Sequence, residues 1–340
     1  MPLFLDLLRS ETANDPSRMV KTLRGLRAFQ AAPRAERPPP APAIMQVGRA
    51  MLRDHGGTGR PILVVPSLIN PPDVLDLAPA NSLMRHLAGC GGRALLLDWG
   101  TPSAEERALD LAAHVETMLL PMIDRLVDRW GEPPLLVGYC LGGTMALAAA
   151  ALRETRGIAL LASPWHFDGF SPEARDRMVA LWTQAAGTAA AIGLLPMEVL
   201  QAGFWQLDPA RTVRKYEDFA DLDPAGPAAA SFIMLEDWAN SGPPLTEAAA
   251  RQLCEGFFGR DDTGQGRWRV GGEIVRPDAL GCPILEVTST RDRIVPHATA
   301  LGIGDRLDLD LGHVGMVVGS RARRALWEPL GQWVSRALNS

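Results

Sequence analysis

The sequence predicts an α/β protein, a doubly wound and mostly parallel sheet with a helical cap insertion, on three observations. Short apolar runs at residues 62–65, 94–97, 135–137, 159–161, 284–287 and 307–309 are bounded by glycine or proline and almost continuously hydrophobic, as strands covered on both faces are. Between them, residues 104–130 and 141–153 have helix-forming composition, and such strand-helix alternation builds parallel sheets. From about residue 165 to 280 the alternation stops, strand signals are weak, and residues 178–190 and 246–257 read as helices.

Ahead of the core, residues 3–30 carry apolar positions at helical spacing (Leu5, Leu8, Met19, Leu23, Leu26, Phe29), broken near Asp15-Pro16. They read as short helices of an N-terminal extension, a loosely packed segment that could serve as a contact site, followed by a proline-rich, semi-rigid linker over residues 33–43. The expected organisation is therefore extension and linker at 1–43, first part of the core at 44–164, cap at 165–280 and second part of the core at 281–340. A cap in that place should sit over the carboxyl ends of the strands, where open α/β sheets bind ligands.

Composition excludes several classes of function. A net charge of −5 leaves no broad basic surface for nucleic acid. Cys90, Cys140, Cys254 and Cys282 are scattered without paired spacing, which fits a reducing cytoplasm and neither a disulfide framework nor a zinc site. The first residues, with Asp6 inside a short apolar stretch and no basic leader, do not read as a secretory signal. The apolar stretch 145–152 ends at Arg153 and Glu154, too short to span a bilayer. The six histidines show no ligand spacing, and Gly142-Gly143 does not lie in a dinucleotide turn, so neither metal nor organic cofactor is expected.

The chemistry is concentrated in Gly138-Tyr139-Cys140-Leu141-Gly142, which follows an apolar strand and precedes an alanine-rich helix. This is a nucleophile elbow with cysteine in place of serine: the turn is too tight for bulk at its flanks, and the nucleophile stands at a helix N-terminus, where the dipole favours a thiolate. A base should follow, and His313, in a glycine-flanked loop after the strand at 307–309, is placed for it; His55, His86 and His114 precede the elbow, and His166 and His297 read as surface or capping groups. Asp292, in the loop after the strand at 284–287, supplies a carboxylate to fix the imidazole tautomer, although it could also cap the turn near Pro296. Nucleophile, acid and base then follow the order of the α/β-hydrolase fold. The oxyanion hole would use the backbone N–H of Leu141 and a second N–H from the loop after the strand at 62–65, with Ser67 and Leu68 the candidates. Cys90, Cys254 and Cys282 lack this context and read as structural.

Several blocks in order resemble the polyhydroxyalkanoate synthase family, in particular its short members: residues 65–77 (beginning Val65-Pro66-Ser67-Leu68-Ile69-Asn70), 138–144, 163–168, 235–240, 270–275, 292–296 and 312–315. The resemblance covers residues 45–335 and departs from the family pattern at Pro71-Pro72-Asp73 and over 260–265. It implies that Cys140, Asp292 and His313 form the catalytic triad of an acyltransferase that takes 3-hydroxyacyl coenzyme A as substrate, not as cofactor, and transfers the acyl group to the hydroxyl of a polyester chain. It also implies a location at the polyester granule surface, and a homodimer or a second synthase subunit as partner. Two other readings are retained: a hydrolase with the same triad (a polyester depolymerase or acyl-CoA thioesterase), and a non-catalytic granule-associated protein. Trp165, Phe204, Trp205 and Trp238 could line an acyl channel, but core packing is the commoner fate of such residues.

Overall fold

The structure, a computed structural model, describes residues 2–36, 39–206 and 208–339, so part of the linker read at 33–43 lies outside the described residues. Each of the six apolar runs falls within a strand of one eight-stranded sheet, and two further strands precede them. In chain order these are β1 (Ala43–Val47), β2 (Ala50–Gly57), β3 (Arg60–Val65), β4 (Gly92–Asp98), β5 (Leu135–Tyr139), β6 (Gly157–Leu161), β7 (Ile284–Ser289) and β8 (Asp305–Leu309), arranged in space as β1-β2-β4-β3-β5-β6-β7-β8. β2 runs antiparallel to both of its neighbours, and all pairs from β4 to β8 are parallel.

The central strands are apolar because both faces are covered: every residue of β5 and β6 is buried. Helix Leu141–Leu152, buried along nearly its whole length, and helix Leu120–Trp130 belong to that cover. The connection from β3 leads to β4 on one side while β5 lies on the other, which opens a crevice at the carboxyl ends of β3 and β5. Within residues 104–130 the helix widens at Val115–Leu119, just ahead of Pro121, whose missing N–H cannot close an ordinary helical turn.

The chain forms two compact units, one of residues 1–39 and 197–242, the other of residues 40–196 and 243–340. Sequence reasoning treats residues 1–43 as an extension and 165–280 as one cap; the structure divides them differently. In the first unit, helices Pro2–Glu11 and Pro16–Ala31 share a core with helices Pro209–Phe219 and Pro227–Ala239, built on Phe4, Leu8, Leu26, Phe29, Val213, Tyr216, Phe219 and Ile233. Burying each large side chain there contributes roughly 1.5–3 kcal/mol, enough to draw amphipathic helices together across nearly two hundred residues of sequence. Gly25 is required at the closest approach, since a Cβ there would lie 1.8 Å from the Tyr216 carbonyl oxygen.

The rest of the insertion belongs to the second unit and is tied to the sheet's own loops: Trp165 N–H donates to Thr299 O (2.8 Å) and Ala248 N–H to Arg107 O (3.0 Å). Trp165 and Trp238 are buried and Trp205 packs on the helical core of the first unit, whereas Phe204 is half-buried. Among the described residues no helix is long and apolar enough to cross a membrane.

Candidate active site

β5 ends at Tyr139, and the next residue, Cys140, turns the chain into helix Leu141–Leu152 at φ 55° and ψ −133°, a conformation that side chains other than glycine rarely adopt. The surroundings hold this strain in place. Cys140 N–H donates to Leu161 O of β6 at 2.9 Å, and Gly143 N–H returns to Cys140 O at 2.9 Å. The flanking glycines are needed for space: a Cβ at Gly138 would meet the Gly143 Cα at 2.3 Å, and one at Gly142 would meet both the Val65 and Pro66 carbonyl oxygens at 2.3 Å. Because those are backbone atoms, Gly142→Ala is expected to destabilise the protein by roughly 3 kcal/mol, read as a lowered urea midpoint; an unchanged midpoint would show that the elbow and the β3 loop are not in contact.

Cys140 is half-exposed, unlike Cys254, which is buried in apolar surroundings that push its thiol up to about 12. Cys90 is half-buried, with its thiol raised by burial, and Cys282 accepts a hydrogen bond from Thr155 Oγ1 at 3.4 Å. Neither stands on a turn like that of Cys140.

β7 and β8 bring the other two predicted residues to the same end of the sheet. Asp292 lies in the loop after β7; its Oδ1 accepts from the N–H groups of Ile294 (2.8 Å) and Val295 (2.9 Å), and its Oδ2 accepts from His313 Nδ1 at 2.6 Å. Capping and orienting, the two readings open from sequence, are thus both occupied, one by each oxygen. Asp292 and His313 are 6% and 7% exposed, so the pair is largely removed from water.

Cys140 acts electrostatically on the His313 ring, whose Nδ1 is bonded to Asp292, so sulfur, imidazole and carboxylate belong to one interacting group. Burial alone would pull the His313 imidazolium down. Electrostatic interaction with Asp292 and then with Cys140, together with the hydrogen bond to Asp292, outweighs it and raises the ring to about 10. At neutral pH the imidazolium is therefore the favoured form, with the Asp292 carboxyl on its Nδ1 side.

Two residues that sequence reasoning missed hold His313. The Tyr139 ring stacks on the imidazole (centroids 5.1 Å apart, planes 23° from parallel), and its hydroxyl donates to His313 O at 3.3 Å. Burial first, then the charges of Cys140 and Asp292, push the Tyr139 phenol well above its usual range, so it remains a donor. Ser289, the last residue of β7, accepts from Leu311 N–H at 3.0 Å and donates to Leu309 O at 3.1 Å, clamping the loop that carries His313. No motif marks these two, apart from the position of Tyr139 inside the elbow.

Of the oxyanion candidates, Leu141 is the first residue of its helix, where an N–H has no carbonyl one turn earlier to bond. Ser67 and Leu68 follow the Val65 and Pro66 carbonyls that border Gly142, so their loop runs beside the elbow; Ser67 Oγ accepts from Ile69 N–H at 3.2 Å. The remaining histidines are engaged elsewhere: His55 with Asp76 (3.3 Å), His86 with Trp327 O (2.8 Å), His114 with Asp110 O (2.6 Å), and exposed His297 beside Asp308 (3.9 Å). His166, Asp168 and Asp261 bring ligand-type atoms within 4.8 Å of one another, but the Asp261 carboxylate is already committed to Phe167 N–H (2.7 Å), Gly264 N–H (3.3 Å) and Gln265 Nε2 (3.2 Å).

The strand order, the strained elbow after β5 and the loops after β7 and β8 define an α/β-hydrolase fold. Solved structures bear this out: the chain is similar to a thermophilic esterase from Thermogutta terrifontis (18% identity, 89% of this chain and 99% of that one, TM-score 0.51) and to a hydrolase from Pseudomonas aeruginosa (15%, 86% and 94%, TM-score 0.51). No family model matches the chain.

In sequence the chain resembles poly(3-hydroxyalkanoate) polymerases. It is 28% identical over 285 residues to the polymerase subunit PhaC of Haloferax mediterranei, covering 80% of this chain and 58% of that one. To the subunit PhaC of Synechocystis sp. it is 28% identical over 293 residues (81% and 77%), and to that of Allochromatium vinosum 26% identical over 290 residues (81% and 80%). The chain thus spans 58% of the Haloferax mediterranei relative and 60% of a similar one from Haloarcula marismortui.

Proposed function

We propose that this chain is a polyhydroxyalkanoate synthase-like acyltransferase in which Cys140, His313 and Asp292 form the catalytic triad. The observation that carries the proposal is a half-exposed cysteine on a strained elbow, interacting with a buried imidazole that a buried carboxylate orients, in a chain similar to curated polymerase subunits over about four-fifths of its length.

In this mechanism His313 takes the proton of Cys140. The thiolate attacks the thioester carbon of a 3-hydroxyacyl coenzyme A, a sulfur–carbon bond forms, and the negative charge on the carbonyl oxygen rests on the N–H groups of Leu141 and of the Ser67–Leu68 loop. Collapse breaks the bond to the coenzyme A sulfur, which leaves as a thiol with the proton from His313. The neutral ring then takes the proton of an incoming hydroxyl, whose oxygen attacks the acyl-Cys140; the ester forms, and the Cys140 thiolate departs beside the recharged imidazolium. Exchange of one thioester for another is nearly isoenergetic, so the acyl group stays activated for transfer.

The acceptor is the terminal hydroxyl of a growing polyester, which places the protein at the surface of its product; no cofactor beyond the coenzyme A thioester is needed. The relatives are described as polymerase subunits, which supports a partner subunit or a second copy for this chain too. With 3-hydroxybutyryl coenzyme A the expected products are free coenzyme A and an oligoester, with an acyl adduct on Cys140. Free 3-hydroxybutyrate without oligomer would instead establish a hydrolase, and no turnover together with unselective labelling of Cys140 by iodoacetamide would establish a silent partner.

A further inference from the structure

We infer that Trp99 is a positioning residue for the oxyanion hole, an inference that rests on the acyl-transfer reading above. Trp99 follows β4, is 3% exposed, and donates its indole Nε1–H to the Pro66 carbonyl oxygen at 2.9 Å. That carbonyl shares one planar trans peptide with the N–H of Ser67, so the two point in opposite directions, and fixing one fixes the aim of the other. Leu68 N–H, the alternative donor, begins one residue further along the same anchored segment. A hydrogen bond into the carbonyl also polarises the peptide and strengthens its N–H as a donor.

The Pro66 carbonyl also borders Gly142, so this one peptide contacts both the indole and the elbow helix. The indole is itself backed by a rigid, buried group. The His114 ring meets it edge-on, centroids 6.1 Å apart at 78°. Nδ1 of His114 donates to Asp110 O (2.6 Å), and Nε2 accepts from Arg49 Nη2 (2.6 Å), whose Nη1 donates to Glu106 Oε1 (2.6 Å). This arrangement requires a neutral ring, and burial, aided by the Arg49 charge, lowers His114 to about 4. A buried indole N–H could satisfy itself on many carbonyls; here it meets the one peptide that leads into the oxyanion loop.

The test separates oxyanion stabilisation from the reactivity of the thiol. Acylation of Cys140 by 3-hydroxybutyryl coenzyme A passes through an oxyanion, whereas alkylation by iodoacetamide forms a sulfur–carbon bond with departure of iodide and creates none. Trp99→Phe removes the N–H and keeps most of the ring. Its maximal acylation rate is expected to fall about 10- to 100-fold, with the half-saturating substrate concentration and the alkylation rate at Cys140 each within about two-fold of the native chain. Site-specific replacement of Trp99 by 3-benzothienylalanine, which keeps the bicyclic shape but has sulfur for N–H, should reproduce the split and guards against a packing defect in the phenylalanine variant. Unchanged acylation in the benzothienyl variant, or equal losses of acylation and alkylation in it, overturns the role of the indole. Failure of the native chain to acquire an acyl group at Cys140 overturns the acyl-transfer reading itself, and this inference with it.

Discussion

Cys140→Ala is expected to lower acyl transfer by about a million-fold and to erase the acyl mass increment seen on the native chain after exposure to 3-hydroxybutyryl coenzyme A. The size of the loss follows from the route, because without sulfur no covalent intermediate forms and water or hydroxyl must attack the thioester unaided. His313→Ala should cost nearly as much, since its ring both keeps the Cys140 proton and returns it to the leaving thiol. The double variant should be little worse than either single one, because residues acting in one step do not add. Cys140→Ser is the more discriminating change. A serine hydroxyl is far harder to ionise than a thiol, so the ring loses the Cys140 interaction that helps raise it to about 10. Stopped turnover with native far-UV circular dichroism is the expected result in all of them; a Cys140→Ala protein that still forms oligoester would remove this residue from the mechanism.

The candidate site was legible because its sterics are local. A strand-to-helix turn carrying a side chain at φ 55° tolerates only small neighbours, so glycines at 138, 142 and 143 advertise it within six residues of sequence. Asp292 and His313 could be placed because they follow apolar runs whose burial on both faces leaves little ambiguity. β1 and β2 were not legible for the opposite reason: they form the antiparallel edge, half-exposed, and in β2 the apolar start gives way to Arg53, Asp54 and His55 in succession, then Gly56-Gly57. The helices at 2–31 carry an amphipathic pattern that is the same whether their apolar face meets a sheet or other helices, so their shared core with residues 209–239 is a fact of tertiary packing alone. Trp99, Tyr139 and Ser289 act on atoms supplied by other elements, and no spacing rule connects an indole at 99 to a carbonyl at 66.

Asp292→Asn should lower acyl transfer by about 10,000-fold although it changes one atom. The N–H groups of Ile294 and Val295 both donate to Oδ1, and they will keep an oxygen in that place. The new amide nitrogen must then face His313 Nδ1, where the carboxylate oxygen had accepted at 2.6 Å. Two donors cannot share that contact, so Nδ1 becomes the acceptor, the ring proton moves to Nε2, and the nitrogen that should take the Cys140 proton is already occupied. The same change removes the larger of the two charges that raise His313, and the sign of the pH effect follows. In the native chain the imidazolium, and the stability that comes with it, is fully present below about pH 6.5 and is lost as pH rises through about 10. Acyl transfer, which needs that proton for the departing thiol, should decline over the same alkaline range, whereas alkylation of Cys140, which needs only the thiolate, should not. In Asp292→Asn the alkaline decline of the residual activity should begin at lower pH. A decline that stays in place would mean that the charge of Asp292 does not govern the proton on His313.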